Sequence, residues 1–292
     1  MLTLAGKPVI DSLAPGLEQQ LSQFKSTAKR SPRLDVLLIG DHPASQLYVR
    51  NKKREAERLG VTAHIHGFSV GVRATEVRDL IERLNRDETV DGILVQRPLP
   101  ESLPLPEVAQ WIDPRKDVDA FHPLLLGRLA LGSPLLTPCT PAGIIALLAH
   151  YKIELAGKVA CVVGRSPIVG KPLAYMLLNS DASVIHCHSR SKNLATLTSQ
   201  ADILIVAAGI PGLIGREHVK RGAVVVDVGI HRRADGSISG DVRATELEGV
   251  ADALTPVPGG VGPMTIFMLM KNVVSAAQAR LDTAGDSSVR EF

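Results

Sequence analysis

Tyr48 and Lys52 stand four residues apart in a stretch of helical pattern, which puts a flat aromatic ring and an ammonium group on one helix face. Such a pair could hold an aromatic substrate and exchange a proton with it. The competing interpretation is a solvated face, because Arg50, Lys52, Lys53 and Arg54 form a run of positive charge. Gln96 closes a buried apolar run, at the carboxyl end of a strand where ligands of open α/β sheets collect; equally, a buried glutamine there satisfies loop backbone. Asp117 and Asp119 follow Lys116. They could pair with Lys116 or Arg115 or cap the next turn, or one of them could read donor groups on a ligand.

A second group of residues has a different chemistry. Val159-Ala-Cys-Val-Val163 is an apolar run followed by Gly164, Arg165, Ser166 and Gly170, and then by a helical pattern. Strand, glycine turn and helix in that order are the opening of a nucleotide-binding unit, in which small residues let the backbone approach a pyrophosphate at the helix N-terminus. The G-x-S-x-x-x-G spacing departs from the usual G-x-G-x-x-G, so the turn alone indicates a nucleotide and no more. The next strand ends in His186-Cys-His-Ser-Arg190 without an acid to hold a free ribose hydroxyl. Arg165, Ser189 and Arg190 can instead converge on a ribose phosphate, which favours NADP over NAD. His186 and His188 alternate on one strand face, but with no acid or cysteine at ligand spacing they read as polar strand-end residues and not as a metal site.

The elements that must position these groups alternate strand and helix patterns almost throughout. Helical spacing at Leu13, Leu17, Leu21 and Phe24 precedes a buried strand over 34–40, a helix over 45–60, a short strand over 61–68, a helix through Val77, Leu80, Ile81 and Leu84, and a strand over 92–96. The proline-dense stretch 101–138 reads as an ordered connection that contains a domain boundary. A helix from Pro141 to about Tyr151 leads into strands over 159–163, 183–188, 203–207 and 224–228 with helices between them, a doubly wound arrangement. The stiff loop 255–265 then feeds a long helix through Leu281, and 282–292 reads as a frayed tail. The fold class is therefore α/β, with two α/β domains facing across a cleft and the second Rossmann-like.

Composition narrows the function classes. In 292 residues, 45% are hydrophobic and 22% charged, and no apolar run reaches membrane-spanning length, which predicts a soluble protein without a membrane partner. The start of the chain lacks a secretory pattern, and Cys139, Cys161 and Cys187 form no C-x-x-C. Reduced thiols, no metal and a cytoplasmic location are the expectation. A net charge of +3 with 3% aromatic residues suits an anionic small ligand better than nucleic acid.

Several long segments, in chain order, resemble one family. They are Ser45-x-x-Tyr48-x-x-x-Lys52, Gly92-Ile-Leu-Val-Gln96-x-Pro-Leu-Pro100, Lys116-Asp-Val-Asp119, Thr137-Pro-Cys-Thr-Pro141, Val163-Gly-Arg-Ser-x-Ile-Val-Gly170, Asp227-Val-Gly-Ile230 and Pro258-Gly-Gly-Val-Gly-Pro-Met-Thr265. Together they resemble the bifunctional methylenetetrahydrofolate dehydrogenase/cyclohydrolases. The resemblance implies oxidation of methylenetetrahydrofolate with NADP, then hydrolysis of the methenyl cation to formyltetrahydrofolate, and with it a place in one-carbon supply to purine, histidine and methionine synthesis. It implies Lys52 as the acid/base group of hydrolysis, Gln96 holding it, Tyr48 stacking on the folate and Asp119 gripping the pterin. Arg165, Ser166 and Ser189 would meet the cofactor. Ile230 and the loop of Pro258, Gly259, Gly262 and Pro263 would line the nicotinamide and folate cleft. A folate-binding domain over 1–120 plus 263–292, a nucleotide domain over 138–258 and a homodimer built through the latter complete the expectation. Hydrolysis needs a group that exchanges protons near neutral pH, a task a desolvated lysine can perform.

The sequence departs from the family pattern at Ala120, where glycine is usual, at Arg97, where leucine is usual, and at His231, where asparagine is common. The first two bear on the balance of the two activities. A monofunctional dehydrogenase of the same family, another Rossmann dehydrogenase, for example one acting on an amino acid or a shikimate-type substrate, and a non-catalytic binding protein are the alternatives. The second leaves Tyr48, Lys52, Gln96 and the 258–263 loop without a role, and an intact Lys52 argues against the last.

Overall fold

The computed structural model describes residues 1–233 and 235–285. The chain divides into two compact units, one of Met1–Ser12, Arg128–Ser133 and Pro138–Met268, the other of Leu13–Gly127, Pro134–Thr137 and the chain from Leu269 onward. It opens with the short strand β1 (Leu2–Thr3) and the helix α1 (Gly6–Ala28).

The second unit is built on β2 (Arg33–Ile39), α2 (Pro43–Leu59), β3 (Thr62–Phe68), α3 (Ala74–Arg86), β4 (Gly92–Gln96) and α4 (Leu105–Trp111). Its three strands are parallel in the order β3-β2-β4. Parallel strands buried on both faces carry continuous apolar runs, as 36–39 and 92–95 do. Leu37, Ile39, Ile93 and Val95 on one face pack against Val77, Leu80, Ile81 and Leu84, the buried stripe of α3. On α2 the inward stripe is Ser45, Val49, Ala56 and Leu59, and Gly60 closes the helix.

The first unit contains α5 (Pro123–Ala130) in part, α6 (Cys139–His150), β5 (Val159–Val163), α7 (Gly170–Leu178), β6 (Ser183–Cys187), α8 (Leu194–Thr198), β7 (Ile203–Val206) and β8 (Val224–Asp227). A hairpin of β9 (His231–Arg232) and β10 (Ile238–Ser239), the strand β11 (Ala253–Leu254) and the helix α9 (Val261–Gly285) follow. The sheet is parallel, in the order β6-β5-β7-β8-β11-β1. Alternate residues of β5 and β7 enter two separate cores: Cys161, Val163, Leu204 and Val206 on one face, Ala160, Val162, Ile203 and Ile205 on the other. Both faces are therefore covered, as doubly wound sheets require. The chain leaves β5 toward β6 on one side and β7 on the other, so the strand order reverses at the carboxyl end of β5, where ligands of such sheets bind.

Four expectations differ from this architecture. The connection over 101–138 holds α4 and α5, because the prolines that suggested loop occupy helix beginnings, where no amide partner is lost. The first twelve residues belong with the nucleotide strands, since β1 pairs with β11, rather than with 13–120. Between β7 and β8 stands only a single 3₁₀ turn, Arg216–His218, in place of a helix. The long last helix begins at Val261, which puts Gly262 and Pro263 in its first turn instead of in a loop, and it runs on to Gly285; 286–292 of the expected frayed tail lie outside the described residues. Among the described residues no helix is long and apolar enough to cross a membrane.

Candidate active site

In the second unit, the carboxyl end of β4 gathers the residues singled out for proton chemistry. Lys52 lies on the same line of α2 as Ser45, Val49, Ala56 and Leu59, so its stem runs along the inner face of the helix while Arg50, Lys53 and Arg54 are exposed. Its Nζ donates to Gln96 Oε1 at 3.0 Å. The Gln96 amide in turn donates from Nε2 to the Arg97 carbonyl at 2.7 Å, which fixes which end of the side chain faces the lysine. Ser45 Oγ donates to the same carbonyl at 3.4 Å. Tyr48, one turn before Lys52, is 42% exposed and leaves its ring open to a ligand. The charge run is thus a solvated face with one member withdrawn from it.

The loop from Lys116 runs beside β4, with Ile93 N–H donating to the Lys116 carbonyl at 2.7 Å and a parallel bridge from Ile93 to Asp117. Asp117 is fully buried, and its carboxylate accepts the N–H groups of Ala120 at 3.1 Å and His122 at 2.6 Å. Burial pushes its carboxyl up to about 7 despite those donors. Ala120 holds the left-handed conformation, φ 58°, at the position where glycine was expected; the strain is on the order of 1–2 kcal/mol, and the Asp117 turn imposes it. Asp119, half-buried on this turn, lies within electrostatic reach of both Asp117 and the Arg97 guanidinium. The departure at Arg97 thus places a guanidinium beside Asp119.

Asp117 is held by backbone amides and not by Lys116 or Arg115. Arg115 binds Asp113, and Lys116 Nζ, 3% exposed as a residue, donates to the carbonyls of Leu84, Asn85 and Asp87 at 2.9, 2.7 and 2.7 Å. These are carbonyls at the end of α3 that have no partner within the helix. Burial, reinforced by Arg280, pulls the ammonium down from its ordinary 10.5 to about 8. The unfolded chain then binds more protons than the folded one between those two values, so stability rises with pH across that window. The expected gain is about 3 kcal/mol between pH 8 and pH 10.5, read by urea unfolding, and Lys116→Met should lose it while also being less stable at neutral pH.

In the first unit the turn after β5 is shaped by contact. Gly164 has φ 124°, and a Cβ there would lie 2.1 Å from the Ala207 carbonyl oxygen; a Cβ on Gly170 would lie 1.8 Å from the Gly164 carbonyl oxygen. Ser166 Oγ accepts the amides of Val169 and Gly170 at 3.2 and 3.3 Å, so it builds the start of α7 and keeps only its own proton for a ligand. His186 donates from Nε2 to the Gly164 carbonyl at 2.8 Å, and His188 accepts the Arg190 amide at 3.1 Å; both histidines shape turns. Arg165, Ser189 and Arg190 are exposed at the same strand ends. A glycine cradle at a helix start beside exposed cations fits an anionic dinucleotide. Ile230, 50% exposed, has its Cδ1 3.7 Å from where a Cβ on Gly262 would stand, which brings together two residues expected beside the nicotinamide. Pro258, Gly259 and Pro263 are exposed around them, and Gly259 accepts the Gly6 amide at 2.8 Å.

Comparison with known proteins decides what these two sites belong to. Residues 4–119 match the model of the tetrahydrofolate dehydrogenase/cyclohydrolase catalytic domain, and residues 138–281 match that of the tetrahydrofolate dehydrogenase/cyclohydrolase NAD(P)-binding domain. The chain belongs to the tetrahydrofolate dehydrogenase/cyclohydrolase family. It is 46% identical to the bifunctional protein FolD of Bdellovibrio bacteriovorus, over 96% of this chain and 98% of that one. The crystal structure of the bifunctional enzyme FolD of Campylobacter jejuni superposes with a TM-score of 0.92 at 44% identity, covering 96% and 99% of the two chains. The methylenetetrahydrofolate dehydrogenase-cyclohydrolase of Trypanosoma brucei, solved with NADP cofactor and an inhibitor, gives 0.91 at 32% identity, covering 96% and 98%.

For a member of this family the structure gives several residues contacts that the sequence did not indicate. Lys116 and His186 act through backbone carbonyls, contacts for which no motif exists. Asp227 and Asp241 are buried carboxylates tied to loop amides, and burial holds the Asp227 carboxyl above its ordinary range. The position of Lys52 on the 45-49-52-56-59 stripe was a usable signal, because a lysine on a helix's apolar line is seldom there for solubility.

Proposed function

We propose that this chain oxidises methylenetetrahydrofolate to methenyltetrahydrofolate with NADP and hydrolyses the product to formyltetrahydrofolate, with Lys52 as the proton-exchanging group of the second step. The observation that carries the assignment is the hydrogen bond from Lys52 Nζ to Gln96 Oε1, 3.0 Å, beside an open tyrosine ring. Oriented by Gln96, Lys52 takes a proton from the water that attacks the methenyl carbon and returns one to the nitrogen released when the carbon–nitrogen bond opens. Asp119 receives hydrogen bonds from the pterin's amino group and ring N–H, and Tyr48 stacks on the aromatic part. Bound NADP supplies the hydride acceptor. On the chain's side, Gly164, Ser166 and Gly170 admit the pyrophosphate, Arg165, Ser189 and Arg190 hold the ribose phosphate, and Ile230, Pro258, Gly259, Gly262 and Pro263 line the nicotinamide. Oxidation asks these groups for positioning, since two carbons need only be held in near-attack contact.

The Campylobacter dehydrogenase/cyclohydrolase and the Trypanosoma dehydrogenase-cyclohydrolase, the latter solved with NADP, support both activities and the cofactor. The same reading includes a homodimer built through the nucleotide domain, a cytoplasmic location and supply of one-carbon units to purine, histidine and methionine synthesis. Purified protein mixed with methylenetetrahydrofolate and NADP is expected to form NADPH, with methenyltetrahydrofolate appearing and then decaying, all followed by absorbance. Methenyl accumulation without decay would leave a monofunctional dehydrogenase, and no turnover a binding protein.

A further inference from the structure

His231 occupies the position where asparagine was expected, next to Ile230, and its surroundings are polar and closed. Its Nε2 donates to Asp241 Oδ1 at 2.6 Å, with the Asp241 side chain fully buried. The other oxygen of that carboxylate, Oδ2, accepts the amides of Ala208 at 2.7 Å and Gly209 at 2.9 Å, directly after β7. Asp241 is itself held by a second buried acid. Asp227, the last residue of β8, accepts the amides of Gly229 and Asp241 on Oδ1, both at 2.9 Å, and that of Val242 on Oδ2 at 3.0 Å. Space is tight around the pair: a Cβ on Gly229 would lie 2.4 Å from Asp241 Oδ1, and one on Gly240 1.8 Å from Asp227 Oδ2.

Two carboxylates thus tie together the turns after β7 and β8 and the segment returning through 240–242, at the ends of the strands where the cofactor binds. The amides satisfied by Asp241 belong to residues 208–209, while the imidazole fixed by it sets the chain at 230–231. One carboxylate thereby sets the spacing between the two turns, and His231 joins the second turn to it through a side chain. We infer that His231, acting through Asp241, is a positioning residue for the nicotinamide half of the cofactor site, holding Ile230 at a fixed distance from the Ala208–Gly209 turn. The inference rests on the proposed NADP-dependent oxidation. The brace belongs to one compact unit and Lys52, Gln96 and Asp119 to the other, so the two activities should respond differently.

The test uses the full chain with His231→Leu and His231→Gln. Leucine removes the donor, whereas the glutamine amide nitrogen reaches the same place as Nε2 and can donate to Asp241. In His231→Leu the KM for NADP is expected to rise about tenfold or more with a fall in oxidation kcat, because small displacements at a hydride-transfer site are costly. In His231→Gln both should return to within about threefold of the unsubstituted protein, and hydrolysis of added methenyltetrahydrofolate should be unchanged in both variants. An unchanged NADP KM in His231→Leu overturns the inference. So does a glutamine variant as impaired as the leucine one, or equal loss of both activities together with a lowered melting temperature. Failure of the unsubstituted protein to reduce NADP would overturn the functional reading and this inference with it, whereas the other outcomes overturn the inference alone.

Discussion

Replacing Lys52 with methionine is expected to slow hydrolysis of methenyltetrahydrofolate by roughly 10²–10⁴-fold, the range a positioned general acid/base contributes. The substitution keeps the length of the stem along the inner line of α2, so Val49, Ala56 and Leu59 remain packed and the helix should survive. What disappears is the group that donates to Gln96 Oε1 at 3.0 Å and that moves protons between water and the leaving nitrogen. Oxidation should fall less, since that step depends on holding the folate against the cofactor. Lys52→Arg sharpens the test: arginine preserves the charge but does not deprotonate in proteins, so a purely electrostatic role would be rescued and a proton-exchange role would not. The absorbance decay of methenyltetrahydrofolate measures both variants, and a normal decay rate in Lys52→Met would remove Lys52 from the chemistry.

The parts of the molecule legible in the sequence are those fixed by local pattern. β4, β5, β7 and β8 are mostly apolar runs because a parallel strand covered on both faces has little polar side to show, and β2 is one from Val36 onward, after the buried Asp35. β1 and β11 could not be seen, because two-residue strands carry no period and are defined by their pairing, Leu2 with Ala253 and Thr3 with Leu254, and Ala253 with Val224 and Leu254 with Val225. The β9–β10 hairpin was readable in principle from Asp235-Gly236, a pair suited to tight turns, but the flanking strands are too short to alternate. The site divides in the same way. Tyr48, Lys52 and Gln96 stood out as types at particular spacings, and family resemblance gave them roles. Lys116 and His231 did not yield to either approach. What Lys116 does depends on three carbonyls around residue 85, and what His231 does depends on a carboxylate that itself hangs on Asp227. Ala120 is a further case: the sequence shows only an alanine where glycine is usual, and in the structure the residue takes the left-handed conformation and Asp117 holds it there.

Substituting alanine for Gly170 should severely weaken NADP binding while leaving hydrolysis of added methenyltetrahydrofolate intact. The new methyl group would stand 1.8 Å from the Gly164 carbonyl oxygen and 2.6 Å from its carbon, and both are backbone atoms with no rotamer to change. Nor can Gly164 retreat, because its own Cα abuts the Ala207 carbonyl and its carbonyl is held by His186. The turn must therefore open, and with it the amides that Ser166 Oγ aligns at the start of α7. An increase in the NADP KM of about 100-fold is expected, equivalent to about 3 kcal/mol of lost interaction. Gly262 is the internal control. A methyl group there would meet Ile230 Cδ1 at 3.7 Å, an ordinary contact, so Gly262→Ala should shift the NADP KM only slightly although it lies in the segment expected to line the nicotinamide. Titration calorimetry with NADP, together with steady-state oxidation rates, distinguishes the two variants. A Gly170→Ala protein with normal affinity would mean that the turn after β5 is not where the pyrophosphate binds.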